Sequence, residues 1–271
     1  MLLVYYTFII AAILQIIIYC FVFSRLAFYK PSTSSDHVPT ESLPPVSVII
    51  CAKNEAQNLR KYLPKILNQS YPDFEVIVVN DNSSDDTAIV LETFASLHEH
   101  LRIINTKEFS RDMAGKKFAL TKGIEVAKYE HLLCTDADCY PASQGWITHM
   151  AKKFTQKRQI ILGFGPYLPH SGFLNKIIQY ETLMTALQYL SLSLIYMPYM
   201  GVGRNLAYHK SLFTRNKGFQ NHKDIPSGDD DLFISEVATP QNTTLSITPE
   251  TFCYSEPPFT WQEWFAQKKG T

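Results

Sequence analysis

The sequence predicts an α/β fold, with a mostly parallel sheet, helices on its faces and one N-terminal transmembrane helix ahead of it. Three observations carry this expectation. Leu2–Phe23 holds no charged residue. From Val46 onward, short β-branched apolar runs alternate with segments whose apolar residues recur at helical spacing. Polar clusters follow the first, second and fourth of those runs, on the rim where open α/β sheets bind ligands.

The N-terminal run is 22 residues long, with only Thr7 and Gln15 clearly polar. As a helix it reaches about 33 Å, enough for a hydrocarbon core of roughly 30 Å. A cleaved signal peptide fits poorly, because no basic region precedes the run, the run is too long, and no small-x-small site follows it. Arg25 and Lys30 come directly after it, so the positive-inside rule places the downstream chain in the cytoplasm. Residues 24–45, with Pro31, Pro39, Pro44, Pro45 and a Ser/Thr cluster, read as a linker. The five cysteines (Cys20, Cys51, Cys134, Cys139 and Cys253) show no CxxC pairing and are expected as free thiols in a reducing compartment. The sequons at Asn68, Asn82 and Asn242 are then chance matches.

The elements follow in order. Val46–Cys51 is a buried strand, and Leu59, Tyr62, Leu63, Ile66 and Leu67 define a helix in which Pro64 is expected to start a fresh turn. Glu75–Val79 is the second strand, and Ser84 or Asp85 caps the helix carrying Leu91 and Phe94. Leu101–Ile104 is the third strand. A helix through Ala119, Leu120, Ile124 and Ala127 leads to a fourth strand at His131–Thr135, with a fifth at Gln159–Phe164. Over all 271 residues, 25 basic and 25 acidic side chains cancel, which argues against a nucleic-acid partner held by a basic surface. A content of 46% apolar and 13% aromatic residues argues against a disordered chain.

The rim clusters are Lys53-Asn54-Glu55, Asn80–Asp85 and Asp136-Ala137-Asp138. Any one of them is ordinary turn chemistry; three on one rim make a site. Asp136 and Asp138 are two apart in an extended segment and share a face, an arrangement that is repulsive unless a cation or a hydrogen-bond donor lies between them. Carboxylates completed by substrate phosphates are the Mg²⁺ or Mn²⁺ pattern. Gly228-Asp229-Asp230-Asp231 is either an acidic helix start or the seat of a general base. Lys116 and Lys117, opening a helix after Gly115, can neutralise phosphate or simply be solvated. Neither GxGxxG nor GxxxxGK[ST] is present, which disfavours a dinucleotide dehydrogenase and excludes a P-loop NTPase.

The string VSVIICAKNE…EVIVVNDNSSDDT…GKKFAL…LLCTDAD…GVGRNLAY…GFQ…SGDDDLF resembles glycosyltransferase family 2. That resemblance implies a GT-A fold over residues 46–269, with a nucleotide-sugar-binding half at 46–140 and an acceptor-binding half at 141–269. It implies that Lys53, Asn54 and Glu55 line the nucleoside pocket, that Asp81 holds the base, and that Lys116 lies near the nucleoside or diphosphate. Asp136 and Asp138 match the family's metal-binding DxD, Asp138 being the better candidate for direct contact with Mg²⁺ or Mn²⁺. Asp230 matches the catalytic base, with Asp229 its neighbour, and Gly203 and Asn205 fall near the acceptor and donor sugar. The implied reaction is an inverting transfer from a nucleotide sugar, UDP-linked by preference, to an acceptor hydroxyl; the membrane anchor, and no binding motif, points to a lipid-linked or glycan acceptor.

Thr182–Gly203 has no charge before Arg204 but is interrupted by Gln188, Ser191, Ser193 and Pro198. It reads as an amphipathic helix on the membrane surface, with a buried helix or a second span as alternatives. Trp261, Trp264 and Gln267-Lys268-Lys269 resemble the start of the family's Gln-x-x-Arg-Trp signature, with Gly270 and Thr271 where Arg and Trp would stand. One competing reading is a catalytically impaired nucleotide-sugar-binding membrane protein truncated at its C-terminus. Another is a sugar-nucleotide nucleotidyltransferase, which needs a Gly-rich basic loop after the first strand where this chain has Ala52-Lys53-Asn54-Glu55.

Overall fold

The computed structural model describes residues 1–30, 43–113, 115–225 and 227–270, the side chains of 269 and 270 excepted. The apolar N-terminus is helical: α1 spans Leu2–Ile17, a wider π-type segment covers Ile18–Phe23, and α2 covers Ser24–Ala27. The helix therefore runs on past Phe23, and the first four residues of the expected linker belong to it. Residues 31–42, the bulk of that linker, lie outside the described residues. Among the described residues, Leu2–Ala27 is the helix long and apolar enough to cross a membrane, and none of its window is buried against protein.

The remaining elements are β1 Val46–Ala52, α3 Ala56–Leu67, β2 Phe74–Asn80, α4 Thr87–Ala95, β3 Leu101–Asn105, α5 Lys116–Val126, β4 His131–Asp136, β5 Cys139–Pro141 and α6 Trp146–Ala151. They continue with β6 Ile160–Gly163, α7 Phe173–Leu194, β7 Leu206–His209, α8 Lys210–Arg215, α9 Asp231–Val237, β8 Thr243–Ser246, β9 Cys253–Ser255 and α10 Trp261–Gly270. All five expected strands are present. Pro64 sits inside α3 instead of opening a new turn. The helix persists through it because Leu59, Tyr62, Leu63, Ile66 and Leu67 are buried on one face, and that packing outweighs the lost backbone donor.

The strands form one sheet in the order β3-β2-β1-β4-β7-β6-β8. β1 runs parallel to β2 and β4, whereas β7 is antiparallel to both β4 and β6. Alternation along β1 divides the core. Val48 and Ile50 face α3, α4 and α6 on one side, and Ile49 faces α5, α7 and α9 on the other. The chain winds outward from β1 to β3 and then crosses back to β4, so a crevice opens between the carboxyl ends of β1 and β4. A separate two-stranded ribbon pairs β5 with β9 in antiparallel register, Cys139 opposite Ser255. It draws the chain's late segment onto the turn after β4.

Thr182–Gly203 is only partly the helix expected. α7 starts at Phe173 and stops at Leu194. One side buries Ile178, Ala186, Tyr189 and Leu190 in the core, while Phe173, Tyr180 and Leu183 stay exposed on the other. α7 also packs against Ile18–Ala27, so the inner end of the apolar helix is docked on the domain. The five cysteines are free, as expected.

At the centre of the second half, the Trp146 indole N–H donates to Asn205 Oδ1 at 3.0 Å, and the Asn205 amide donates to the carbonyls of Phe164 and Thr251 at 2.9 and 2.7 Å. Gly163 lies directly beneath, where a Cβ would stand 2.7 Å from the Asn205 carbonyl oxygen and clash with its side-chain amide. Gly163→Ala should therefore overpack this junction and cost about 1–3 kcal/mol, read as a lowered midpoint of denaturant unfolding.

Candidate active site

The loops after β1 and β2 are fastened to each other by their own polar residues. Asn54, at φ 59°, donates its N–H to Ser83 Oγ at 2.9 Å and accepts the Ser84 N–H at 2.8 Å. Asn and Asp tolerate this left-handed conformation better than other side chains. Asp85 accepts from Thr87 N and Ala56 N at 3.0 and 3.1 Å, satisfying a free donor at the start of two helices at once. Neither Ser84 nor Asp85, the residues expected to cap α4, is its N-cap: Asp86 takes that position, and Asp85 accepts the Thr87 N–H from one residue before it.

These loops frame a cavity of about 400 Å³ lined by Lys53, Glu55, Asp81, Arg111, Lys116, Asp136 and Asp138. Asp81 is buried, and its Oδ1 accepts from Thr106 Oγ1 at 3.0 Å and pairs with the Arg111 guanidinium. A second cavity of about 320 Å³ adjoins it, with Asp136 and Asp138 as the shared wall. Its other walls come from Gly203, Arg204 and Asp230, from α7 through Glu181, Thr182 and Tyr189, and from α10 through Trp264, Gln267 and Lys268.

Acids dominate the junction, and one lysine holds it together. Lys116 pairs with Asp136 and lies 3.4 Å from Asp229 Oδ2. Burial would raise both Asp136 and Asp138; the Lys116 ammonium reverses this for Asp136 and holds it below the usual carboxylate range. Asp138 has no such lysine, and burial together with the Asp136 charge pushes it up. Ser255 Oγ donates to Asp138 Oδ2 at 2.8 Å and the Cys139 thiol donates to Oδ1 at 3.3 Å. Asp136, Asp138 and Cys139 bring their ligand atoms within 4.8 Å of one another. Two hard carboxylates at the end of a strand, one of them with a raised proton affinity, suit a divalent cation such as Mg²⁺ or Mn²⁺.

Asp230 stands at the start of α9. Its Oδ2 accepts the Gly203 N–H at 2.6 Å and its Oδ1 the Asp231 N–H at 2.8 Å. Burial first, and then the neighbouring Asp229 charge, raise it to about 6, against the pull of the Gly203 donor. Glu55 is raised by burial as well.

Lys53, Glu55, Asp81, Lys116, Asp136, Asp138, Gly203 and Asp230 thus line one continuous pair of cavities. Asn54 serves as a loop clasp and does not line either cavity. Asn205 corrects its expectation: it is fully buried behind Gly203, with its amide spent on the core. Asp229 faces Lys116 and lines the narrow space beneath it. Lys117 turns inward, donating to the carbonyls of His222 and Ile225 at 2.8 and 3.0 Å, and so meets neither solvent nor phosphate. Sequence reasoning missed Arg111, Ser255 and Glu256, whose bonds to Asp81, Asp138, Lys61 and Tyr62 are long-range, and it left Arg204 without a role. Arg204 had a signal, as the cation that ends a charge-free stretch.

Residues 47–214 match the family described as Glycosyl transferase family 2. Over 116 residues the chain is 34% identical to poly-beta-1,6-N-acetyl-D-glucosamine synthase of Staphylococcus epidermidis, a match covering 43% of this chain and 25% of that one. An uncharacterized glycosyltransferase of Haemophilus influenzae is 28% identical over 210 residues, 73% of this chain and 61% of its own. The matched region thus spans a quarter to about three-fifths of these relatives. Among solved structures, a mannosyltransferase from Pyrobaculum calidifontis in complex with GDP-Man and Mn²⁺ superposes with a TM-score of 0.68 at 22% identity, over 93% of this chain and 68% of that one. Staphylococcus aureus TarS in complex with UDP-GlcNAc gives 0.58 at 16% identity, over 80% and 59%. The chain has the GT-A fold, with two cavities that meet at a carboxylate pair. It belongs to glycosyltransferase family 2.

Glu256 locks the late segment beside this site. It accepts from Lys61 Nζ at 2.8 Å and from the Tyr62 hydroxyl at 2.7 Å, and it meets His170 Nε2 at 3.0 Å. Burial opposes ionisation, but these partners prevail and depress it to about 2. Its folded value lies below its unfolded one, so its stabilisation is complete above about pH 4.5 and is lost as pH falls towards 2. Glu256→Gln should flatten that part of the acid-unfolding profile, measured as unfolding midpoint against pH.

Proposed function

We propose that this chain is an inverting glycosyltransferase that moves a sugar from a nucleotide sugar, UDP-linked by preference, to an acceptor hydroxyl at a membrane surface. The observation that carries this reading is Asp230. It is raised to about 6 and opens into the cavity whose far wall is the Asp136–Asp138 pair. A base on one side of a cavity and a carboxylate pair able to hold a phosphate-binding cation on the other suit a single in-line displacement. Lys53, Glu55 and Asp81 would hold the nucleoside, Arg111 fixing the Asp81 carboxylate. Asp138, with Asp136 behind it, would hold Mg²⁺ or Mn²⁺, which when bound screens the charge of the diphosphate. Gly203 would orient Asp230 through its N–H, and Asp230 would take the acceptor proton as the new bond forms.

The membrane setting is supported by Leu2–Ala27 and by its packing on α7. Phe173, Tyr180 and Leu183 on α7, with Phe259, Trp261 and Phe265 from the segment bearing α10, add exposed aromatic and aliphatic surface to the same domain. Trp, Tyr and Phe are the residues that favour a lipid–water interface. The arrangement suits a single N-terminal span with the catalytic domain on the cytoplasmic face and a lipid-linked or glycan acceptor delivered to the second cavity.

Asp230→Asn should lower turnover by about 10²–10⁴-fold while leaving UDP affinity essentially unchanged, measured by nucleoside diphosphate release and by calorimetry on the same preparation. The wild-type kcat should fall about tenfold per pH unit below about 6, because the base must be unprotonated. A profile flat from pH 5 to 8 would assign the proton elsewhere. Asp138→Ala should abolish the Mn²⁺-dependent part of UDP-sugar binding in calorimetry with and without the metal.

A further inference from the structure

Arg204 is built into the second cavity more rigidly than a solvated cation requires. Its guanidinium lies over the Tyr167 ring, 4.3 Å from the centroid. The stem passes Gly165, where a Cβ would come 3.1 Å from Arg204 Cβ and 3.6 Å from its Nε, so the glycine makes room for the side chain. Its backbone carbonyl accepts from Thr135 Oγ1 at 2.9 Å, tying it to the residue before Asp136. Despite this, Nη1 is sealed from solvent and finds no hydrogen-bond partner among the described residues. A buried guanidinium donor left unmatched is costly unless a ligand completes it.

The cavities say which ligand. A donor whose nucleoside sits between Lys53, Glu55 and Asp81 must pass its diphosphate over the shared Asp136–Asp138 wall to place its sugar near Asp230. Arg204 stands on the far side of that wall, where the diphosphate would emerge. Building on the transfer reaction above, we propose that Arg204 binds the donor diphosphate and receives the charge that develops on it as the sugar departs. The acceptor oxygen bonds to the anomeric carbon as the bond from that carbon to the diphosphate oxygen breaks. The acceptor proton goes to Asp230, and the electron pair of the broken bond stays on the diphosphate, which leaves one negative charge richer. A planar, permanently charged donor fork held in place beforehand suits that oxygen better than a mobile ammonium. The turn Gly203–Asn205 thereby serves both ends of the displacement: the Gly203 N–H holds the base and the Arg204 side chain holds the leaving group.

The test compares diphosphate with monophosphate on the detergent-solubilised full chain in Mn²⁺. UDP, UMP, GDP and GMP are titrated into wild type, Arg204→Met and Arg204→Lys. Arg204→Met should weaken whichever diphosphate the wild type binds by about tenfold or more and the matching monophosphate by less than about threefold, and it should lower kcat. Arg204→Lys should recover part of the diphosphate affinity but not the turnover. If the Met variant does not fold, the Lys variant carries the comparison, with diphosphate affinity partly retained and kcat reduced. Unchanged diphosphate affinity and kcat would overturn the proposal, and so would an effect confined to the acceptor KM, which would assign the guanidinium to the acceptor. Binding of no nucleotide by the wild type would instead overturn the donor reading beneath it.

Discussion

The contact on which this site depends is the Lys116 ammonium set between Asp136 and Asp229. Those acids come from the end of β4 and the start of α9, distant in sequence and brought to one point. Without a cation between them, four carboxylates at Asp136, Asp138, Asp229 and Asp230 would repel one another in a half-buried cleft. Lys116 compensates one acid from each half and leaves the other member of each pair, Asp138 and Asp230, with a raised proton affinity. The two acids with raised proton affinity are the two to which the proposed transfer gives a role. The lysine thus sets neighbouring acids apart in proton affinity.

The second constraint is mechanical. The site's far wall is made by pieces that have no strong structure alone: the turn Gly203–Asn205, the three-residue strand β9 and the helix α10. Each is pinned by polar bonds from the core or the early loops. Asn205 is gripped by Trp146 and two carbonyls, Ser255 reaches Asp138, and Glu256 is held by Lys61, Tyr62 and His170. A buried polar network of this kind is favourable only when its members are matched.

Much of the first half was legible because its signals are local. Five strands and the helices between them announce themselves by β-branched runs and apolar spacing, and the rim clusters follow from the rule that loops at strand carboxyl ends face one way. The second half was harder to read. β5, β7, β8 and β9 are three or four residues long, too short for any periodicity to show. Pro64 misled because local backbone preference was weighed without the buried face that overrides it. Asn205 misled because a polar residue in a motif looks like a ligand group until its burial is known. Arg111 and Glu256 had no local signal, since their partners lie 30 and up to 195 residues away.

Sequence alone determined the α/β class, the apolar helix ahead of it, the family, and the acids of the rim, because these depend on residue type and short-range spacing. Only the tertiary structure decided which acid is neutralised and which is raised, that Asn205 and Lys117 serve the interior, and that Arg204 lines the cavity while its buried Nη1 is unmatched. Those outcomes depend on distance and on exclusion of water, and both are set when β4, the Gly203 turn and α9 meet.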